Sequence, residues 1–229
     1  MKILAIDTAC SACSVALAAD GDVVASDSAA MARGHAEALM PMIQSVMARA
    51  GGAFDALDLV AVTVGPGSFT GLRTGLAAAR GIGLAQNIPV VGVTTLEAVA
   101  AAAARDPAAA ALPVVVVLET RRTDLYVQLF DPSPSPVPMP RSEILAVPPE
   151  AALRAIPETG ALLAGDGVAR LQAVVSAAMR GAIRHAEAAC VPDAVDVAAI
   201  ALARAGAPLP AVPLYIHPPA VRHPAGEAA

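Results

Sequence analysis

The stretch VAVTVGPGSFTGLR, residues 60–73, predicts a buried strand that runs into a glycine-rich turn and then into a helix. Such a junction presents unpaired backbone N–H groups and the positive end of the helix dipole, which together favour an anion. A phosphate-binding loop of the usual kind also needs a lysine after the turn. The chain contains one lysine, Lys2, so this turn has the shape of a phosphate cradle but lacks its lysine.

Composition indicates a globular protein with one large domain or two small lobes. The chain has 229 residues, of which 56% are hydrophobic, and its mean hydropathy is +0.62. No apolar run approaches the roughly 18 residues of a membrane span. Residues 1–7 predict a buried strand rather than a signal peptide. We therefore expect a cytoplasmic protein that has no membrane partner.

Charge and cysteine content argue against two further classes of protein. The net charge is −5 and aromatic residues are 2% of the chain, whereas nucleic-acid-binding proteins usually combine a basic surface with stacking aromatics. Cys10 and Cys13 form a Cys-x-x-Cys pair, but the residues after Cys13 predict a strand rather than the helix that a redox pair opens. We expect both to be small buried residues, and their role stays open.

The first half of the chain predicts a strand meander followed by alternating helices and strands. Strands are expected over residues 2–7, 13–19, 22–28, 59–64 and 89–93. A helix over residues 35–50 has one apolar face, made by Ala36, Leu39, Met40, Ile43, Val46, Met47 and Ala50. Pro41 either kinks this helix or begins its regular part. A second helix over residues 71–86 is ended by Asn87 and Pro89, and a third begins near Thr95.

The second half repeats the pattern of the first. Its first strand, over residues 114–118, leads into Glu119-Thr120 as the strand at the N-terminus leads into Asp7-Thr8, and a strand over 125–130 follows. An apolar run over 161–164 precedes helices over about residues 168–180 and 193–205. We predict a duplicated, two-lobed α/β fold of the actin, Hsp70 and sugar-kinase type, which is ribonuclease H-like. The lobes are residues 1–106 and a smaller lobe, 107–229, with a proline-rich loop at 131–140 and an irregular tail.

Several of these segments resemble the TsaB (YeaZ) family. The resemblance rests on ILAIDT over residues 3–8, on His35 with the segment LMPMI over 39–43, and above all on GPGSFTGLR over 65–73. Residues 91–96, 165–167 and 213–215 also fit, the C-terminal pieces weakly. The match covers most of the chain and is strongest over residues 1–100.

The resemblance implies a dimerisation subunit of the bacterial machinery that makes tRNA threonylcarbamoyladenosine, without chemistry of its own. Family members pair with and activate the paralogous subunit TsaD, which transfers a threonylcarbamoyl group to N6 of adenosine 37 in tRNA, and the ATPase TsaE joins the pair. The implied partners are therefore TsaD and TsaE, with tRNA reached only through the complex. A surface built for a paralogue can often accept its own copy, so a homodimer and a monomer both stay open for the chain in isolation. No cofactor is implied, except a nucleotide at an interface shared with the partner.

The residues themselves favour a non-catalytic role. TsaD-like subunits bind a metal through two histidines that lie four apart on one helix face. Here His35 is followed four residues later by Leu39, so we expect no metal site. Asp7 and Glu119 would face each other across the cleft between the lobes, but the segment after Asp7 contains no glycine. An ATP site is therefore not expected either.

The resemblance places partner contacts on the two long helices of the first lobe. The second helix has a small residue at every fourth position, which would let another helix approach closely, and Arg73 and Arg80 share a face that meets partner acids. The candidate partner-binding residues are His35, Leu39, Met40, Ile43, Met47, Gly71, Arg73, Gly75, Leu76, Ala79, Arg80 and Gly83. The motif loop before this helix consists of Gly65, Pro66, Gly67, Ser68, Phe69 and Thr70, with Ser68 and Thr70 as candidate helix caps.

Two enzymatic alternatives stay open at this point. The first is a small-molecule, ATP-dependent kinase, because kinases share the predicted fold. The second is a peptidase, because members of the wider family have been described as proteases. The peptidase is the less favoured, since Thr70 stands where the second glycine of a Gly-x-Ser-x-Gly nucleophile elbow around Ser68 would be.

Overall fold

The computed structural model describes residues 1–120, 122–132, 137 and 139–216, which form two β-sheets with helices packed against both. The strands are β1 (Lys2–Asp7), β2 (Ala12–Ala19), β3 (Asp22–Ala30), β4 (Leu59–Gly65), β5 (Val90–Thr94), β6 (Val114–Glu119), β7 (Leu125–Asp131), β8 (Met139–Pro140), β9 (Leu145–Val147), β10 (Ala161–Ala164), β11 (Ile183–His185) and β12 (Leu209–Pro210). The helices are α1 (His35–Arg49), α2 (Phe69–Gln86), α3 (Thr95–Ala103), α4 (Pro149–Ala152), α5 (Val168–Val174), α6 (Ala177–Arg180) and α7 (Ala194–Ala203).

The first sheet has the strand order β3-β2-β1-β4-β5-β12. Strands β1, β2 and β3 form an antiparallel meander, whereas β4 and β5 run parallel to β1. Strands β1 and β4 are buried almost throughout, so both faces of the sheet need cover. Helices α1 and α2 cover one face, and α3 and α7 cover the other. We call this sheet and its helices the first lobe.

The second sheet repeats the first with shorter elements. Strand β6 pairs antiparallel with β7 and parallel with β10, which in turn pairs parallel with β11. These four strands correspond in order and direction to β1, β2, β4 and β5. The two short strands β8 and β9 both pair with β7, in the position that β3 has beside β2. The predicted two-lobed α/β fold, with its duplication, is confirmed.

A shared helical layer joins the two lobes. Helix α3 follows the first sheet in sequence but packs against β6 of the second, while α7 from the second half packs against β1 and β2. The ion pairs Arg204–Glu97, at 2.6 Å, and Arg105–Asp196 connect α3 and α7. The boundary between residues 106 and 107 stays a prediction, because each half contributes a helix to this layer.

Two predicted elements differ from the structure, and two others lie partly outside the described residues. Pro41 lies inside α1, which already begins at His35, and the buried face of α1 includes Met42 in place of Met40. The helix predicted over 168–180 is divided into α5 and α6, because Val175 is extended and Ser176 precedes a new turn. Most of the loop predicted at 131–140, namely residues 133–136 and 138, and the tail from residue 217 lie outside the described residues.

None of the described helices is both long enough and apolar enough to span a membrane. The longest, α2, has 18 residues and carries the charged side chains Arg73 and Arg80.

Candidate functional site

The motif loop, residues 65–70, packs against the end of strand β1. The Ser68 N–H donates a hydrogen bond of 2.7 Å to the carbonyl oxygen of Ala9, and a Cβ at Gly67 would lie 2.4 Å from the same oxygen. The Ser68 hydroxyl accepts a bond of 3.3 Å from the Gly71 N–H, so Ser68 is the N-cap of α2, as predicted. Thr70 does not cap the helix; it lies in its first turn and is exposed. The loop is thus closed onto its own chain rather than open around an anion.

The small-residue face of α2 lies against this chain's own sheet. A Cβ at Gly71 would lie 2.1 Å from the carbonyl oxygen of Thr8, and one at Gly75 would lie 2.5 Å from the Thr8 hydroxyl. At Gly83 the obstacle is a methyl group of Val90, 2.3 Å away. The close approach predicted for this face is real, but the neighbour is strands β1 and β5. Partner contact was predicted for Gly71, Gly75, Leu76, Ala79 and Gly83; all five are buried within the first lobe, which corrects that prediction.

Helix α1 divides its predicted contact residues between the core and the surface. Leu39, Ile43 and Met47 are at most 2% exposed and belong to the core of the first lobe, so they are not available to a partner, contrary to the prediction. Met40 is 43% exposed and points away from that core. His35 is half-buried, and its Nε2 atom lies 3.1 Å from the carbonyl oxygen of Cys10.

The C-terminal segment 209–216 crosses the first lobe and fastens the motif loop. After β12 pairs with β5, the Leu214 N–H donates a 2.7 Å hydrogen bond to the carbonyl oxygen of Val64. Arg80 donates two hydrogen bonds to the carbonyl oxygen of Ala211, at 2.6 and 3.2 Å. Arg80 is therefore bound to a backbone carbonyl of its own chain.

The other exposed arginine of α2, Arg73, contacts two aromatic residues, Phe69 and Tyr215. Its guanidinium lies 3.7 Å from the centroid of the Phe69 ring and donates a 3.2 Å hydrogen bond to the Tyr215 hydroxyl. The rings of Phe69 and Tyr215 are 5.5 Å apart. Sequence reasoning missed Tyr215 as part of this site, although it is one of only five Phe and Tyr residues in the chain.

Helices α1 and α2 carry three large apolar side chains that are exposed on the side away from the sheet. Met40, Phe69 and Leu84 are 43%, 45% and 86% exposed. Leu84 continues the row of Arg73, Ala77 and Arg80 along α2, and this row contains no acidic residue. The sequence predicted that Arg73 and Arg80 share this face, but Leu84 was not among the predicted contact residues. We call Met40, Phe69, Arg73, Arg80 and Leu84 the outer helical face.

The cleft between the sheets holds a buried carboxylate. Asp7 is fully buried; its Oδ1 accepts bonds from the Thr63 hydroxyl at 2.7 Å and the Ala9 N–H at 3.1 Å. Its Oδ2 has no hydrogen-bond partner in the described structure. Burial raises the pKa of Asp7 from its ordinary 3.8 to about 7. Asp7 is thus sealed within the protein rather than presented to a ligand.

The remaining candidates in the cleft are also engaged or inactive. Glu119 forms a 2.7 Å ion pair with Arg170, and its N–H donates to Asp166. Burial raises the pKa of the Cys10 thiol, and it raises that of Cys13 to about 11, so neither is a thiolate near neutral pH. In the part of the chain that the structure describes, no group of three or more His, Cys, Asp and Glu side chains is arranged to hold a metal ion.

Comparison with known sequences gives consistent relatives for the first half. Residues 24–132 match the family described as TsaD, tRNA N6-adenosine threonylcarbamoyltransferase. The chain is 39% identical over 126 residues to the tRNA threonylcarbamoyladenosine biosynthesis protein TsaB of Escherichia coli, a match that covers 55% of this chain and 53% of the relative. The TsaB protein of Haemophilus influenzae is 35% identical over 126 residues, with 55% and 52% covered. The chain thus spans about half the length of the curated relatives that it matches.

Comparison with solved structures extends the likeness to almost the whole chain. The structure of YeaZ from Pseudomonas aeruginosa is similar with a TM-score of 0.82 and 28% sequence identity, over 94% of this chain and 99% of the other. A second Pseudomonas aeruginosa structure, described as an uncharacterized protein with similarity to peptidase YEAZ, gives a TM-score of 0.81 at the same identity. The chain is therefore similar to TsaB proteins in sequence over about half of its length, and to YeaZ in fold over almost all of it.

Proposed function

We propose that this chain is a non-catalytic subunit of the machinery that makes tRNA threonylcarbamoyladenosine, and that it binds and activates the transferase TsaD. The observation that carries the proposal is the 39% identity to a TsaB protein over 126 residues, a match found in a chain that folds like YeaZ. TsaE joins the same complex, tRNA is reached only through it, and the chain acts in the cytoplasm.

The residues of the cleft support a role without chemistry. Leu39, four residues after His35, is 1% exposed in the core, so a buried apolar side chain occupies the place of the second metal-binding histidine of TsaD-like subunits. Asp7 is sealed, and Glu119 is paired with Arg170. These contacts give no support to the kinase alternative. The peptidase alternative lacks support as well, because the Ser68 hydroxyl caps α2.

We assign the contact with TsaD to the outer helical face. It includes exposed apolar side chains, with Leu84 86% and Met40 43% exposed, and its arginines are held in place by the C-terminal segment. Exposed apolar side chains flanked by arginine are typical of protein interfaces. The neighbouring glycine row takes no part in this contact except by seating α2 on the sheet.

Co-purification with TsaD from the same organism tests the assignment. We expect a stable complex with the unaltered chain and at least tenfold weaker retention with Leu84→Asp or Met40→Asp. The matched control is Val24→Asp, which places the same charge at a 49% exposed position of β3, outside the outer helical face. The assignment fails if the control weakens the complex as much as Leu84→Asp does, or if no complex forms.

A further inference from the structure

The outer surface of the second lobe has an apolar groove whose counterpart in the first lobe is filled. The groove has a volume of about 460 Å³ and runs between β7, β9 and the segment 149–157. Val127, Leu129, Leu145 and Val147 line it from the strands. Leu145 is 46% exposed, and Leu129 and Val147 are only partly buried. This volume is in the range of sites that take a ligand or several side chains of a partner.

The internal duplication explains why the groove exists. In the first lobe, α1 follows the meander and lies across β2 and β3; it has 15 residues, a length of roughly 22 Å at 1.5 Å per residue. The element in the same place of the second lobe is α4, with four residues, followed by the single 3-10 turn Leu153–Ala155. Seven residues cannot cover the strand that fifteen cover in the first lobe. Leu129 of β7 and Val147 of β9 therefore stay partly exposed, and Leu145 of β9 is exposed.

The rim of the groove gives it a charge. Arg141 and Arg154 both line it and both are exposed, and none of the described residues that line it is acidic. Arg141 lies 3.6 Å from Asp131, a pair between two half-exposed groups, which contributes little on its own. Within the described ranges, no ion pair joins Arg154 to another residue. A groove with an apolar floor and a cationic rim is therefore set in a chain whose net charge is −5.

We propose that this second-lobe groove binds an amphipathic helix of a partner protein, whose apolar residues enter the groove and whose acidic residues meet Arg141 and Arg154. A partner's helix in this groove would cover the second sheet as α1 covers the first. Helices that lie in apolar grooves insert side chains at positions such as i, i+4 and i+7. Acidic flanks complement the two arginines. The site is separate from the outer helical face and does not depend on the proposed function.

The test uses the full chain and synthetic helical peptides with a fluorescent label. The acidic probe has about 15 residues, with leucines at i, i+4 and i+7 and glutamates on either side. A second peptide replaces every glutamate by lysine, and a third scrambles the leucine positions. Fluorescence anisotropy gives the dissociation constants, and hydrogen exchange shows where the peptide lies. We expect the acidic probe to bind at least tenfold more tightly than either of the others, and to protect amides at residues 145–157.

Variants of the chain locate the contact. Leu145→Asp should weaken binding of the acidic peptide at least tenfold, while Val24→Asp, at a similarly exposed position of the first lobe, should leave it unchanged. Arg154→Glu should abolish the preference for the acidic peptide, and the double change Arg141→Glu with Arg154→Glu should reverse it, so that the lysine peptide becomes the tighter ligand. This charge exchange keeps the test informative even if Leu145→Asp reduces the stability of the second lobe.

Other outcomes overturn the proposal. Equal binding of the acidic and lysine peptides would show that the rim arginines do not recognise charge. Binding that survives Leu145→Asp would place the peptide elsewhere on the chain. Decanoate, a small amphiphile, is a further probe. If decanoate binds and none of the peptides does, the groove is a lipid site rather than a helix-binding site.

Discussion

The carbonyl oxygen of Thr8 lies in the space that a side chain at residue 71 would need: a Cβ at Gly71 would be 2.1 Å from it. The Thr8 hydroxyl also donates a 2.7 Å hydrogen bond to the carbonyl oxygen of Gly71. The end of β1 and the first turn of α2 are thus in direct backbone contact. The glycine-rich motif serves this contact, and the outer side of the same helix is exposed.

Gly71→Ala should therefore destabilise the fold. The added methyl group would overlap the Thr8 carbonyl, and relief requires backbone movement, so we expect a loss of about 3 kcal/mol or more in the free energy of unfolding. Gly81→Ala is the matched control, because a Cβ there meets nothing within 4 Å and the position is exposed in the same helix. It should gain roughly 0.5–1 kcal/mol from helix propensity. Urea denaturation followed by circular dichroism measures the free energy of unfolding of both variants. Equal stability of the two would contradict a close backbone contact between α2 and Thr8.

Asp7 should make the stability of the protein depend on pH. Its pKa in the folded state is about 7, above the ordinary 3.8, so folding favours the protonated form. The free energy of unfolding therefore falls as pH rises from about 4 to 7. The loss is up to roughly 4 kcal/mol, at 1.36 kcal/mol per pKa unit. Above pH 7 this destabilisation by the buried charge stays constant. Below pH 4 Asp7 no longer destabilises the fold, because its carboxyl group is protonated in both the folded and the unfolded protein.

Asp7→Asn isolates that contribution. The amide oxygen still accepts bonds from Thr63 and Ala9, but no charge is buried. We expect the variant to be more stable than the unaltered chain at pH 8, with a difference that shrinks towards pH 5, in melts recorded at each pH. Asp22→Asn, at the exposed start of β3, should show no such trend. A stability gain for Asp7→Asn that does not change with pH would contradict the buried carboxylate as its cause.

The sequence predicted most of the fold because its signals are local. The strand meander, the capped α2 and the repeat of Asp7-Thr8 in Glu119-Thr120 follow from periodicity and turn residues over short segments. The contact residues of α1 and α2 were predicted less well. An apolar or glycine row at helical spacing shows that a face is covered, but not whether its own sheet or a partner covers it. Leu39 and Gly75 proved to face the sheet, and Leu84 faces solvent.

The role of the C-terminal segment depends on contacts that are distant in sequence. Tyr215 meets Arg73 and Phe69 across more than a hundred residues of chain, and no local pattern predicts such a pairing. Replacing Tyr215 by alanine should lower stability by roughly 0.5–1.5 kcal/mol and speed hydrogen exchange of the amides at residues 65–72. Tyr215→Phe keeps the ring and loses only the hydroxyl, so its effect should be less than half as large. Exchange rates at 65–72 that do not differ between the alanine variant and the unaltered chain would show that the segment does not fasten the loop.

The proposed function makes this chain a required part of tRNA modification that does not itself perform the reaction. The direct measurement is a reconstitution with TsaD and TsaE from the same organism, threonylcarbamoyl adenylate, ATP and unmodified tRNA, with the modified nucleoside quantified by mass spectrometry. The proposal predicts no product with the chain alone, little or none with TsaD and TsaE alone, and full modification when the chain is added, with Leu84→Asp deficient and Val24→Asp normal. Equal modification with and without the chain, or product formed by the chain alone, would contradict it.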